Sequence, residues 1–201
     1  MEIQRMKTSG LQDKAFYDYT FAKDSGVNPE MALAHKYVEN WDSMKDRSSG
    51  LLLWGDVGTG KTFFAGCIAN ALLDKGIPVL MTNFARILNT LAGMHSEDRN
   101  LFIDSMNRYS LLIIDDLGME RNSEFALEQV FHVIDSRYRS RKPLIVTTNL
   151  TLTELNTPAD MAHRRIYDRI LERCVPIRIN NRNIRQDNAS KNLEEAKRLL
   201  L

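Results

Sequence analysis

The chain has 201 residues, 43% hydrophobic and 26% charged, which is ordinary globular usage and excludes a wholly disordered, collagen-like or rod-like molecule. Its 27 Lys and Arg against 26 Asp and Glu leave a formal charge of +1, so global charge predicts no nucleic-acid partner and any such surface must come from local clustering. Cys67 and Cys174 have no metal-ligand spacing and suit a reducing compartment, the apolar runs at 51–54 and 111–114 are far too short for a bilayer, and residues 1–10 are too polar for a secretory signal, so a cytoplasmic protein without membrane contact is expected.

Residues 1–49 have weak periodicity. The alternation of Tyr17, Tyr19 and Phe21 predicts a short extended piece. Pro29 behind Asn28 predicts a helix to about Trp41, with Met31, Ala34, Val38 and Trp41 on one face. Residues 46–50 read as a polar linker. From there the pattern changes. Residues 51–54 read as a buried parallel strand, followed by a Gly-rich turn and a helix over 61–74 that Gly76 and Pro78 stop. A second strand is expected over 79–82, a helix over 84–93, and a third strand over 111–115. A long amphipathic helix follows over 123–140, with Leu127, Phe131, Ile134 and Tyr138 in phase. Residues 143–148 read as a fourth strand, Thr151 and Glu154 as a capping box, 162–174 as a helix, 175–179 as a fifth strand and 186–201 as a charged helical tail. Strands alternating with helices imply a parallel sheet covered on both faces.

The strongest signal is Gly55-Asp-Val-Gly58-Thr-Gly60-Lys61-Thr62, which matches the G-x-x-x-x-G-K-[ST] phosphate loop. Its backbone N–H groups are expected to face phosphate oxygens, with the positive end of the next helix behind them. Lys61 then reaches the β- and γ-phosphates, and Thr62 offers its hydroxyl to Mg²⁺. Residues 55–63, namely Gly55, Asp56, Val57, Gly58, Thr59, Gly60, Lys61, Thr62 and Phe63, are the expected nucleotide contacts. The run Leu111-Leu-Ile-Ile-Asp115-Asp116 is an apolar strand ending in two carboxylates, a Walker B arrangement. There Asp115 steers Mg²⁺ and Asp116 places the attacking water. The strand Leu144-Ile-Val-Thr147-Thr148-Asn149 ends in an amide, matching the element called sensor 1, beside the γ-phosphate. Arg165, Arg169 and Arg173, four apart, share one helix face. Their mutual repulsion, roughly 0.2–0.5 kcal/mol per pair, points to an anionic partner such as the γ-phosphate held by a neighbouring subunit.

These residues resemble the AAA+ ATPases, and within them the DnaC/DnaI helicase loaders and the IstB transposition helpers. The resemblance rests on GDVGTGKT, LLIIDDLG, LIVTTN, RRIYDRI and the lead-in Ser9-Gly-Leu-Gln-Asp-Lys-Ala-Phe-Tyr-Asp-Tyr-Thr-Phe21. It implies a P-loop three-layer α/β sandwich with a five-stranded parallel sheet and a reduced C-terminal lid, with 1–49 as a lead-in and 50–201 as the ATPase core. It implies ATP and Mg²⁺ as cofactors, hydrolysis, and action on single-stranded DNA with a hexameric replicative helicase. The alternatives are a transposition helper on duplex DNA and a non-hydrolysing interaction module. By position Arg169 matches the loader arginine finger, implying self-association through Arg169, and Arg185 matches the sensor 2 arginine, with Arg182 as a competing candidate. Among weaker features, Arg137, Arg139, Arg141 and Lys142 read as cations compensating a helix C-terminus, or as a nucleic-acid backbone contact. Tyr17, Tyr19 and Phe21 read as packing near the adenine or in the core, and Cys67 as a buried small apolar residue.

Overall fold

The computed structural model describes residues 1–118, 123–181, 193, 197 and 198. Five strands, β1 (Gly50–Trp54), β2 (Val79–Asn83), β3 (Leu111–Leu117), β4 (Leu144–Thr148) and β5 (Cys174–Arg178), form one parallel sheet in the order β2-β3-β4-β1-β5. Continuous apolar runs suit such strands because both faces are covered. Leu51 and Leu53 of β1, with Leu111 and Ile113 of β3, point into one core. Leu52, Leu112 and Ile114 point into the other. The first core is shared with α2 (Met31–Glu39) and α4 (Lys61–Asp74). The second is shared with α5 (Phe84–Ala92), α6 (Ser96–Ser105), α7 (Glu124–Arg139) and α9 (Met161–Arg173). Two layers of helices around one sheet make the expected sandwich.

The helix α4 begins and ends where its glycines and the phosphate-loop pattern place it. The capping box opens α8 (Leu152–Asn156), with the Thr151 hydroxyl accepting from the Glu154 N–H and the Glu154 carboxylate accepting from the Thr151 N–H. The region before β1 departs from the reading. Residues 2–10 form α1 (Glu2–Gly10). The expected extended piece at Tyr17, Tyr19 and Phe21 is instead a pair of 3₁₀ turns, over Lys14–Asp18 and Phe21–Lys23. The helix after Pro29 starts at Met31, since Asn28 makes a turn by accepting from the Glu30 N–H at 3.0 Å. It stops at Glu39, and Trp41 opens the separate α3 (Trp41–Asp46). Within the supposed linker, Ser48 is buried and donates to the Arg141 carbonyl at 2.6 Å. The α7 face also differs: Ala126, Val130, Val133, Ile134 and Arg137 are buried, while Leu127, Phe131 and Tyr138 are half-buried. Phe131 and Tyr138 lie toward α9, as their contacts with Arg169 show.

Arg137 overturns its place in the surface basic cluster. It is 1% exposed, and its guanidinium donates to the carbonyls of Pro143 at 3.1 and 2.6 Å, Tyr109 at 3.0 Å and Ser110 at 2.9 Å. These are loop carbonyls at the foot of β3 and β4, of which, among the described residues, only Pro143 also takes a backbone partner, the Leu112 N–H at 3.4 Å. Burial pulls its pKa down to about 9, which leaves it charged at neutral pH. Cys67 and Cys174 are buried free thiols, and burial pushes each up to about 12. The expected tail helix over 186–201, the reduced lid, Arg182 and Arg185 lie outside the described residues, apart from Leu193, Lys197 and Arg198, which are helical.

Candidate active site

The turn from β1 into α4 runs through left-handed backbone, with φ at 138° for Gly55, 82° for Gly58 and 97° for Gly60. At Gly55 a Cβ would also stand 2.4 Å from the Ile179 carbonyl oxygen, so glycine is required there. Gly60 is the N-cap of α4. The loop and first turn line a cleft of about 590 Å³ that also reaches Asp116, Asn149 and residues 19–28. The N–H groups of the first helical turn and the positive helix end make this wall an anion seat.

Lys61 is 5% exposed. Its ammonium donates to the Gly55 carbonyl at 2.8 Å, the Asp56 carbonyl at 2.7 Å and Asn149 Oδ1 at 2.8 Å. It thereby ties the phosphate loop to the end of β4. Thr59 is buried and donates to the Asp56 carbonyl at 2.9 Å, which closes the loop on itself.

The second half of the site stands on β3. Asp115 is buried, and accepts from the Thr62 hydroxyl at 3.0 and 3.2 Å and from the Thr147 hydroxyl at 2.6 Å. Burial pushes its pKa above the ordinary carboxylate value. The Thr147 hydrogen bond opposes that, the neighbouring Asp116 charge adds to it, and Thr62 and Lys61 oppose it. Thr147 also accepts from the Asp116 N–H at 2.9 Å, so one hydroxyl fixes both acids. The pairing of β3 with β4 loses register between Ile114 and Leu117. Asp116 sits there at φ 57°, a left-handed value that aspartate tolerates better than most residues. The irregularity sends consecutive carboxylates to different environments: Asp115 inward beside Thr62, Asp116 exposed in the cleft.

The oxygens of Thr62 and Asp115 form a hard, anionic pair that fits Mg²⁺ in company with phosphate oxygens. Because burial raises the Asp115 pKa, folding favours its neutral form. In the nucleotide-free protein its contribution to stability is complete below about pH 4 and is lost as pH climbs through the raised value. Asp115→Asn is therefore expected to raise the melting temperature of the nucleotide-free protein at pH 7 and flatten its pH dependence. Thermal melts across pH without nucleotide check this; a lowered melting temperature at pH 7 refutes it.

The remaining wall comes from the lead-in. Tyr19 meets Phe63 edge-on at 5.5 Å between ring centroids. Asn70, buried in the otherwise apolar α4, donates to the carbonyls of Phe16 at 2.8 Å and Tyr19 at 2.9 Å, which holds this segment on the helix. Phe21 instead stacks on His35 at 3.8 Å. A Cβ on Gly66 would lie 2.6 Å from the Tyr19 Cβ. Gly66→Ala is expected to push Tyr19 out of the wall and weaken adenine-nucleotide affinity about tenfold, or roughly 1.4 kcal/mol, with a smaller loss of stability. Fluorescent-nucleotide titration beside a thermal melt separates the two. Sequence reasoning missed Lys23, Asp24, Ser25, Val27 and Asn28 as cleft residues, and missed the role of Thr147. The lone Asn70 in α4 is the signal that could have placed the lead-in segment at Phe16 and Tyr19 on this helix.

Arg169 is not brought to this cleft within the chain. Its Nε donates to Asp135 Oδ1 at 2.8 Å, its Nη1 to the Arg165 carbonyl at 3.0 Å, and its guanidinium lies 4.8 Å from the Phe131 ring centroid. Asp135 is buried and also takes Arg139 at 2.8 Å. Arg173 lies over the Tyr138 ring at 4.6 Å, whereas Arg165 is exposed.

The family described as IstB-like ATP binding protein matches residues 2–192. The chain belongs to that family. It is 27% identical over 179 residues to the replicative helicase loader DnaC of Escherichia coli K12, covering 85% of this chain and 70% of DnaC. It is 26% identical over 173 residues to the phage-like element PBSX protein XkdC of Bacillus subtilis, covering 80% of this chain and 63% of that protein. The chain thus spans under two thirds of that relative. The crystal structure of DnaI superposes with a TM-score of 0.71 at 21% identity, over 90% of this chain and 99% of that one. This likeness carries the fold, which is the AAA+ P-loop fold. The family member's described residues include no helix long and apolar enough to cross a membrane.

Proposed function

We propose that this chain is an AAA+ ATPase whose turnover depends on self-association, and that it helps place a hexameric replicative helicase on single-stranded DNA. The observation that carries the hydrolytic reading is the split pair on β3, with Asp115 buried beside Thr62 and Asp116 exposed in the cleft that holds Lys61 and Asn149. Thr62 and Asp115 would hold Mg²⁺, which supplies charge neutralisation at the β- and γ-phosphates. Lys61 releases its internal carbonyls and moves its ammonium to the phosphates. Asp116 orients the attacking water and accepts its proton. Asn149, freed from Lys61, fixes the water from the other side. Arg169 serves the nucleotide of a neighbouring copy, since its own chain holds it on α7. The helicase role rests on the likeness to the replicative helicase loader DnaC, the single-strand role on the loader resemblance of the motifs, and the family match gives the transposition helper its own footing.

The test is phosphate release at rising protein concentration, alone, with single-stranded DNA and with duplex. A rate that rises faster than linearly and responds to single strands is expected. A response chiefly to duplex selects the transposition helper, and a negligible rate with intact ATP binding selects the interaction module. Arg169→Ala is expected to cut the assembled rate by about 10³-fold or more, in line with other arginine fingers, and to leave nucleotide affinity within a few fold. An unchanged assembled rate removes the finger.

A further inference from the structure

We infer a second binding site, for a small phosphate ester, on the far edge of the sheet from the phosphate loop. A cavity of about 240 Å³ lies between β2, α5 and the turn after α6, with Thr82, Arg86, Phe102, Arg108 and Tyr109 in its lining. Its floor carries an orphan: Thr82 is 2% exposed, and its Oγ1 has no hydrogen-bond partner among the described residues. A buried hydroxyl left unpaired is costly, and a valine of the same shape would avoid that cost. The fold therefore leaves an unpartnered hydroxyl on a residue of the cavity lining.

The walls select the sign of the ligand. Arg86 and Arg108 line the cavity, and among the described residues no acidic side chain does. Neither arginine is ion-paired among the described residues. Arg108 is held in place: its Nη2 donates to the Tyr109 hydroxyl at 3.0 Å, and its guanidinium lies 4.9 Å from that ring's centroid. The Tyr109 hydroxyl in turn reaches the Ser9 carbonyl at 3.4 Å. Arg86 stands in the first turn of α5, its N–H donating to the Asn83 cap at 2.9 Å, where a cation works against the helix dipole and an anion relieves it. Guanidinium forks suit phosphoryl oxygens, and the Thr82 hydroxyl can donate to one of them. The volume lies below the ~300–1,000 Å³ of sites for larger ligands. Two cations around a pit, rather than a row along a groove, fit one phosphoryl group on a short body rather than a strand. Apolar Phe102 supplies the wall for that body.

The test uses the full chain saturated with MgADP, so that the ATP cleft is filled. Sodium phosphate and glycerol 3-phosphate are titrated against sodium chloride at matched ionic strength, read by the Thr82 amide resonance and by melting temperature. The expected result is saturable binding of the ester, weakened about tenfold or more by Arg86→Ala or Arg108→Ala, since hydrogen bonds to charged groups are worth ~1.5–3 kcal/mol. Thr82→Val gives the sharper sign: it is expected to raise the melting temperature without ester and to weaken ester binding. A response equal in chloride, binding indifferent to both arginine variants, or a Thr82→Val variant that is less stable and binds normally overturns the site. Displacement of the ester by a thymidine oligonucleotide at lower concentration also overturns it, in favour of a nucleic-acid backbone.

Discussion

Lys61→Ala is expected to lower magnesium-dependent phosphate release by at least about 100-fold, the scale seen when one preorganised charge or donor is taken from a transition state. The geometry makes Lys61 more than a phosphate contact. Its ammonium sits among the Gly55 and Asp56 carbonyls and Asn149 Oδ1, three acceptors that hold it ready and that nucleotide must replace. Removing it leaves those acceptors without their shared donor, so a moderate loss of stability should accompany the loss of rate. Two measurements keep these apart. Phosphate release is followed at a temperature well below the variant's melting point, and nucleotide binding is followed by fluorescence. Asn149→Ala, which frees one ammonium proton without disturbing the loop, should retain binding while losing rate. If Lys61→Ala hydrolyses within tenfold of the parent, the cleft is not where ATP is cleaved.

The largest effect on stability is expected away from the cleft. Arg137→Met removes four hydrogen bonds to three backbone carbonyls and keeps much of the apolar volume. With each charge-assisted bond worth more than an ordinary one, and the carbonyls of Tyr109, Ser110 and Pro143 left in a buried setting, the loss is about 3–5 kcal/mol. For a chain of this size that lowers the melting temperature by roughly 10 °C. Arg137→Lys should recover little, since one ammonium cannot serve three carbonyls in the plane of a guanidinium fork. Arg139→Ala is the contrasting case: its partner Asp135 keeps Arg169, and with the Arg139 side chain itself exposed the loss is about 1 kcal/mol or less. Denaturant melts of the three variants check the ranking, and equal stability of Arg137→Met and Arg139→Ala would remove the staple.

The sequence made the sheet and the catalytic strands readable because they obey local rules. A strand buried on both faces is a continuous apolar run; β1 runs straight into the phosphate loop, and β3 and β4 carry the polar site residues near or just past their C-terminal ends. The α4 boundaries followed from a glycine at each end. What stayed hidden depends on contacts distant in sequence. The Leu101-Phe102-Ile103 run of α6 has no helical phase, and Ile103 is its only buried member. Tyr17, Tyr19 and Phe21 alternate as a strand would, yet Asn70 and Gly66, some fifty residues on, pull the segment into turns. Arg137 looked like one of four surface cations, because nothing in a run of basic residues says which of them points at the sheet. Tertiary packing decided these cases against pattern. At the site, the acids were legible by position, but their division into one buried and one exposed group needed the β3–β4 irregularity and the Thr147 hydroxyl.

The lead-in also protects the molecule from its own kind. β2 is an edge strand, and its outer side is partly occupied by Leu11, which forms a parallel bridge with Met81, while the Gln12 N–H donates to the Met81 carbonyl at 3.4 Å. Gly10 lies so close to the Val79 carbonyl that a Cβ would stand 2.1 Å from its oxygen. A version cut back past Gln12 would keep the phosphate loop and every acid of the cleft. It would also offer the free amides and carbonyls of an apolar strand to any second chain, and exposed edges of that kind template sheet-to-sheet aggregation. The first dozen residues thus act as a sheath, and shortening them trades colloidal stability for a smaller domain.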